Sequence, residues 1–332
     1  MTKTVQIDAH TTVPVPGFGA MGMSAFYGQI NDDESKATLR KAIEIGCTCW
    51  DTSSMYGWGH NEKIIGEVLK EGDNRKKVFL ISKFGIKQDG KGGMVVDGSP
   101  QNVIDALDQS IKDLGGLYPD AYLLHRVDKN VPIEETVRAL DALRKEGKTK
   151  YIGLSECSAA TLRRAAKEAQ IDFVEIEYSP FELVMERNGV LEACRELGVK
   201  VLAYSPLGRG FLTGRYKKPE DFSLASGDYR AAFPRYTKEN FDRNYKIVEE
   251  LERLAEKKGC KSGQLALAWL MAQGDNIIPI PGTKSEKYLI ENFAAREIDL
   301  SAEEVAEIRK VCEENAPVGD RYPESAMHTL DG

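Results

Sequence analysis

The sequence predicts an α/β protein: a single (β/α)8 barrel over residues 1–332, with an N-terminal hairpin and long loops at the carboxyl-terminal rim of its strands. Three observations predict it. Short apolar runs alternate with stretches of helical period, eight times over. The runs have the continuous apolar character of parallel strands buried on both faces. No linker-like or low-complexity stretch divides the chain.

Val5–Ile7 and Val13–Val15 read as a short hairpin outside the main fold. Gly17-Phe18-Gly19-Ala20-Met21-Gly22 then matches GxGxxG. A dinucleotide fingerprint needs a strand before that pattern and a helix opening on it. Pro14 and Pro16 spoil the strand, and Ser24–Gly28 does not read as a helix, so a Rossmann dehydrogenase is the weaker reading. Phe18–Met23 becomes the first barrel strand.

Helix Asp33–Ile45 leads to a strand over Ile45–Trp50 that ends on Asp51, and helix Asn61–Lys70 leads to strand Val78–Phe84. Pro100–Leu114 precedes Ala121–His125, and Ile133–Glu146 precedes Tyr151–Glu156. Ala159–Glu168 leads to Phe173–Ser179, and Gly189–Leu197 to Val199–Ser205. An insertion, Gly208–Arg243, interrupts the rhythm before helices Tyr245–Lys258 and Ser262–Ala272. Strand Ile277–Pro281 and helices Glu286–Ala295 and Ala302–Asn315 complete the chain.

Such barrels carry their sites at the carboxyl ends of the strands. Asp51, Lys83, His125, Ser155-Glu156, Glu177-Tyr178-Ser179, Tyr204-Ser205-Pro206 and Pro281-Gly282-Thr283-Lys284 stand there, with Tyr56 on the loop after Asp51. Lys83 ends an apolar strand, where its charge needs a partner; Asp51 on the neighbouring strand is the expected one. A cation beside a phenol lowers its pKa, and a neutral His orients a carbonyl oxygen. The set suits proton delivery to an oxygen gaining negative charge.

Composition narrows the classes. The formal charge of −7 argues against nucleic acid as main partner. No apolar run approaches membrane-spanning length, the first ten residues lack the plan of a signal peptide, and six scattered cysteines suggest reduced thiols in a cytoplasmic protein. Four histidines, at positions 10, 60, 125 and 328, make no HxH or HExxH spacing, so no metal site is expected. Cys47 and Cys49 read as small buried residues.

Asp51, Tyr56, Lys83 and His125 resemble the Asp-Tyr-Lys-His tetrad of the aldo-keto reductase superfamily. Further motifs carry the resemblance: Gly19-Ala20-Met21-Gly22-Met23, Ile152-Gly153-Leu154-Ser155-Glu156, Glu177-Tyr178-Ser179-Pro180, Ala203-Tyr204-Ser205-Pro206-Leu207-Gly208-Arg209-Gly210, Ile280-Pro281-Gly282-Thr283-Lys284 and Glu291-Asn292. The pattern is most similar to the branch of YakC-type, perakine and pyridoxal reductases.

The resemblance implies a TIM barrel that binds NADPH/NADP+ and reduces an aldehyde or ketone, with pyridoxal, aromatic and small sugar aldehydes as candidate substrates. It implies Tyr56 as proton donor, tuned by Lys83 and Asp51, and His125 as the orienting group. Tyr204 would stack on the nicotinamide, and Ser155, Glu156 and Glu175 would meet its carboxamide. Ser205, Leu207, Gly208 and Gly210 would carry the pyrophosphate with backbone N–H groups and a hydroxyl; Gly22, Met23 and Pro206 are further cofactor positions. Gly282, Thr283, Lys284, Tyr288 and Asn292 would hold the adenosine end, with Lys284 on the 2′-phosphate.

Three positions depart from the family pattern. Glu156 and Glu175 stand where Asn and Gln are usual, and these acids are expected to favour the oxidised, cationic ring. Tyr288 stands where many members carry an Arg, which leaves Lys284 and Lys287 for the phosphate. Tyr27, Trp58 and Arg126 are candidates for the substrate pocket. The insertion is expected as a belt over the cofactor, and the tail Val318–Gly332, with Arg321, Tyr322 and His328, as a border of the pocket. Potassium-channel β subunits share fold and tetrad, which keeps a cofactor-binding partner or sensor subunit as the rival reading. A monomer and a homo-oligomer both fit the sequence.

Overall fold

The computed structural model describes residues 3–91, 93–327 and 329–330; Met1, Thr2, Gly92, His328 and the last two residues lie outside the described residues. β1 (Thr4–Gln6) and β2 (Thr12–Pro14) pair antiparallel as a hairpin. β3 (Phe18–Gly19), β4 (Cys49–Asp51) and β5 (Phe79–Phe84) open the main sheet. β6 (Ile86–Gln88) and β7 (Met94–Val96) form an antiparallel ribbon beyond β5 that the sequence did not announce. β8 (Ala121–Leu124), β9 (Tyr151–Ser155), β10 (Phe173–Glu177), β11 (Lys200–Tyr204) and β12 (Ile277–Pro279) complete the sheet.

The eight strands run in the order β3-β4-β5-β8-β9-β10-β11-β12, every pairing parallel. Closure comes at the glycine-rich segment. Gly17 N–H donates to the Pro279 carbonyl at 2.8 Å and Gly19 N–H to that of Pro281 at 3.2 Å. A Cβ on Gly17 would stand 2.9 Å from the Cys49 carbonyl oxygen, and one on Gly19 2.9 Å from that of Ile280. These glycines are a seam where backbones touch, so the GxGxxG match has a structural cause. The strand there is two residues long, and Met21–Met23 turns as a 3-10 helix instead of extending the strand.

The helices cover the outside. Asp32–Ile45 begins where the Asn31 side chain accepts from Glu34 N–H at 3.1 Å, carries three acids in its first turn, and stops at left-handed Gly46. Ile45 thus ends a helix, and the strand before Asp51 is shorter than expected. Ser99, Ser158 and Ser301 cap Pro100–Asp113, Ala159–Glu168 and Ala302–Glu314 in the same way.

Strand alternation splits the core. Leu80, Tyr122, Leu124, Val174 and Ile176 face the helices, while Cys49, Ile81, Leu123, Phe173 and Leu202 fill the barrel interior. Val5, Val13 and Val15 join that interior cluster, and Tyr151 Oη donates to Asp8 Oδ2 at 2.5 Å. The hairpin is therefore a plug in the barrel floor rather than an element outside the fold. Between His60–Leu69, β5 and Pro100–Asp113 sits a polar island: Glu62 accepts from Ser82 Oγ at 2.6 Å, while Glu62 Oε2, Ser110 Oγ and Tyr122 Oη have no formed hydrogen bond. Burial pushes the Glu62 carboxyl up to about 7, with the Ser82 and Ser110 hydroxyls offsetting only part. Among the described residues no helix is long and apolar enough to cross a membrane, and no group of His, Cys, Asp and Glu could hold a metal ion.

Candidate active site

The period-2 rule carries the inward series upward to polar residues: Asp51 from β4, Lys83 from β5, Ser155 from β9, Glu175 and Glu177 from β10, Tyr204 from β11. His125 follows β8. With the floor plugged, the open end of the barrel is this one. All five non-glycine residues with positive φ among the described residues (Phe26, Trp58, Glu156, Ser205, Arg209) lie on loops at this end. Backbone strain of that kind concentrates where geometry is imposed for function.

Lys83 Nζ donates to Asp51 Oδ2 at 2.5 Å and lies 2.9 Å from Glu175 Oε2, with the three side chains at most 4% exposed. The expected Asp51 partner is there, and Glu175 is a second one. Lys83 also stands 5.4 Å from the Tyr56 ring centre, and the Tyr56 and His125 rings meet edge to face at 5.9 Å. Asp51, Tyr56, Lys83 and His125 thus converge on one point.

The electrostatics correct one expectation. Burial pushes the Tyr56 phenol well above its ordinary value, and the pull of Lys83 in the other direction is smaller. Tyr56 is therefore a firmly protonated donor. Burial also works against a charge on Lys83, but Asp51 and Glu175 together overcome it and keep the ammonium. Burial, then Arg126 and Lys83, hold His125 well below the usual imidazole range, so its ring is neutral at pH 7. Ser53 Oγ lies 3.0 Å from His125 Nδ1; when Ser53 donates there, Nε2 carries the ring proton.

Glu156 uses both oxygens. Oε1 accepts from Tyr204 Oη at 2.6 Å and from Glu177 N–H at 3.2 Å; Oε2 accepts from Arg321 at 2.6 Å. Burial opposes its ionisation, yet Arg321 and Arg126 hold it below the usual carboxylate range. Its charge is compensated, which weakens the expected bias toward an oxidised ring. Tyr322 Oη lies 2.9 Å from Tyr204 Oη, so the tail does border the mouth through Arg321 and Tyr322.

Arg209 pairs with Glu177 at 3.0 Å and lies over the rings of Phe233 and Tyr322, 4.4 and 4.9 Å from their centres. The sequence reading placed Glu177 on the rim and Arg321 in a tail bordering the pocket but foresaw neither ion pair; two inward acids on β10 were the available signal that cations had to follow. The Gly208–Arg209–Gly210 turn has positive φ throughout (55°, 56° and 92°). The N–H groups of Gly208 and Gly210 donate to Ser205 and Leu207 carbonyls at 2.8 and 3.0 Å, so they are spent inside the turn. Buried groups of the rim with no formed hydrogen bond include Nη1 of Arg209, Nη1 of Arg321 and Oε2 of Glu175.

The remaining positions are distributed along the same rim. Lys284 Nζ donates to the carbonyls of Tyr27, at 3.1 Å, and Gln29, and burial lowers its pKa. Tyr288 lies beneath Arg215 (5.4 Å) and Lys287 (5.6 Å), so the insertion brings a cation that sequence position alone did not reveal. Gly282 packs on Gly19, Ser285 N–H donates to Thr283 Oγ1 at 3.1 Å, and Asn292, Gly22, Met23, Pro206 and Leu207 are buried behind the rim. Arg126 Nη1 donates to the His125 carbonyl at 2.7 Å and reaches Ser155 Oγ at 3.4 Å. Trp58 is 43% exposed just past Tyr56, whereas Tyr27 is taken up by the insertion under Arg230, 5.0 Å from its ring centre. The insertion itself is packed: Phe211, Phe222, Tyr236 and Phe241 are buried in the main core.

The family model described as "Aldo/keto reductase family" matches residues 17–313. An aldo-keto reductase of Schizosaccharomyces pombe, yakc [NADP(+)], is 48% identical over 95% of this chain and 93% of its own length. An aldo-keto reductase of Gibberella moniliformis is 46% identical over 96% of each. Among solved structures, a glycerol dehydrogenase from Gluconobacter oxydans superposes with TM-score 0.85 at 25% identity, over 96% of this chain and 97% of that one. An aldo/keto reductase from Klebsiella pneumoniae in complex with NADP and acetate superposes with TM-score 0.71 at 25% identity, over 97% and 99%.

Proposed function

The chain belongs to the aldo/keto reductase family, and from that premise we propose that it is an NADP(H)-dependent reductase in which Tyr56 protonates the carbonyl oxygen of an aldehyde or ketone. The observation that carries the reading is the convergence of a protonated Tyr56, a charged Lys83 paired with Asp51, and a neutral His125 at the one open end of the barrel.

The residues at the rim fit a dinucleotide phosphate. Two buried guanidinium N–H groups without formed hydrogen bonds, on Arg209 and Arg321, suit an anionic diphosphate beside the tight Ser205–Gly210 turn. Ser205, Pro206, Leu207, Gly208 and Gly210 would shape that turn around it, and Tyr204 offers a ring face for a planar ring. Ser155 and Glu156 would meet the carboxamide, with Gly22 and Met23 alongside. Gly282, Thr283, Tyr288 and Asn292 would frame the adenosine end, with Lys284 and Arg215 as cations for the 2′-phosphate. The bound cofactor supplies the hydride.

This chain's own residues do the rest. His125 Nε2–H orients the carbonyl oxygen, and Tyr56 gives it a proton as negative charge develops there. Lys83 stabilises the phenolate left behind, and Asp51 fixes Lys83 in place. Exposed Trp58 at the mouth favours substrates with a flat apolar body, so aromatic aldehydes such as 4-nitrobenzaldehyde, and pyridoxal, are the first compounds to assay.

The test follows the absorbance of reduced nicotinamide with each aldehyde, wild type beside Tyr56→Phe. The variant keeps the ring and the fold but loses the proton, so kcat falls by about 10²-fold or more while NADPH binding persists. Turnover equal to wild type in Tyr56→Phe would overturn the assignment.

A further inference from the structure

The inward alternation of β10 sets Glu175 against the catalytic cation instead of leaving it free for a ligand. Lys83 Nζ lies 2.5 Å from Asp51 Oδ2 and 2.9 Å from Glu175 Oε2, and none of the three side chains is more than 4% exposed. Two carboxylates against one ammonium would leave a net negative charge in a water-poor pocket, which is costly unless a proton removes it. Glu175 is also in hydrogen-bond contact with the Asp51 carboxyl. Its Oε2, although close to Lys83, makes no well-directed hydrogen bond with it. Paired carboxyls at such range share one proton, because both cannot ionise side by side.

We propose that Asp51 and Glu175 hold one proton between them, and that this proton, passed through Lys83, replaces the one Tyr56 delivers to the substrate. The proposal rests on Tyr56 as the donor. The proton account closes. The Tyr56 O–H bond breaks as the substrate oxygen gains its proton, and a Lys83 N–H proton passes to the Tyr56 oxygen. The shared carboxyl proton then passes to the Lys83 nitrogen. Tyr56 and Lys83 end as they began, the carboxyl pair is one proton short, and solvent at the mouth restores it after product leaves. Electrons are not exchanged with any of these groups.

The groups facing the pair are Lys83 from β5, Tyr56 from the loop after β4 and the Cys49 thiol from β4 itself, with Arg126 and His125, after β8, behind Tyr56 and Lys83. Of these, His125 is neutral at pH 7 and Tyr56 is protonated to high pH. Burial and then Glu175 hold the Asp51 carboxyl well above its usual range, the direction a shared proton requires. Glu175 reaches the substrate oxygen only through Asp51, Lys83 and Tyr56.

Two readouts test it, on wild type, Glu175→Gln and Asp51→Asn. In the infrared difference spectrum between resting wild type and Glu175→Gln, the band of a buried protonated carboxyl should be lost, because Asp51 alone against Lys83 ionises. Taking a difference cancels the separate carboxyl of Glu62. Asp51→Asn should lose the same band, which keeps the test open should either variant fold poorly. In turnover, wild-type kcat should fall as rising pH empties the pair. Glu175→Gln should show kcat lower by about tenfold, part of the roughly 10²–10⁴ that acid catalysis supplies, and no such limb. A Glu175→Gln protein that keeps the carboxyl band, or the wild-type pH profile, overturns the proposal. Loss of the donor role itself would appear separately, as undiminished turnover in Tyr56→Phe.

Discussion

Replacing Glu62 by Gln should make this protein more stable at alkaline pH and leave it nearly unchanged at acid pH. Glu62 is fully buried in the barrel wall, and its carboxyl titrates at about 7 against an ordinary 4.5. The sign follows from proton binding: between these values the folded state holds a proton that the unfolded chain has lost, so stability falls as pH rises. The full cost, about 3 kcal/mol, is present once pH exceeds 7 and absent below 4.5. The amide of the Glu62→Gln variant carries no charge at any pH, and it can donate toward Ser110 Oγ or Tyr122 Oη, which now lack formed hydrogen bonds. With roughly 2.1 cal/mol/K of unfolding entropy per residue, the gain at pH 8 is about 4 °C in Tm. Thermal melts of both proteins at pH 5, 6.5 and 8 (values chosen to bracket about 7) read it directly. Parallel Tm curves for the two proteins would refute the argument, because they would mean that Glu62 ionises without penalty in the fold.

Two further predictions follow from particular contacts. Arg321→Ala removes the cation on Glu156 Oε2 and one of the contacts that tie the tail to the mouth, so urea denaturation should show a loss of about 3 kcal/mol, and NADPH titration weaker binding. Gly19→Ala places a Cβ 2.9 Å from the Ile280 carbonyl oxygen at the seam; a loss of about 1–3 kcal/mol is expected in the same melts, with no change in the spectroscopic signature of bound cofactor in the surviving folded fraction.

Much of this architecture was legible because its causes are local. Apolar runs alternating with helical period mark the barrel, and a strand that ends on Asp51, Lys83 or His125 announces a polar rim. What escaped depends on distance across the fold. Nothing in Val5 or Val13 says that a hairpin will turn back under the barrel and seal it. The neighbours of Tyr56 were readable, but the depth of its burial was not, and burial reversed the sign of its shift. Arg321 meets Glu156 and Arg215 meets Tyr288 only because the tail and the insertion fold back over the rim. The contact of Glu175 with Lys83 escaped because their register lies between non-adjacent strands.

The glycine seam has a consequence for how the protein is made. The strand containing Gly19 leaves the ribosome early, and its partner near Gly282 leaves almost last. At about 5–20 residues per second, synthesis of the stretch between them takes tens of seconds. Throughout that interval the nascent sheet has two raw edges, and each is a template for another chain. Elongation pauses or premature stops before β12 should therefore yield species that only chaperones keep soluble, and the last strand to be translated is the one that makes the molecule safe from its own neighbours.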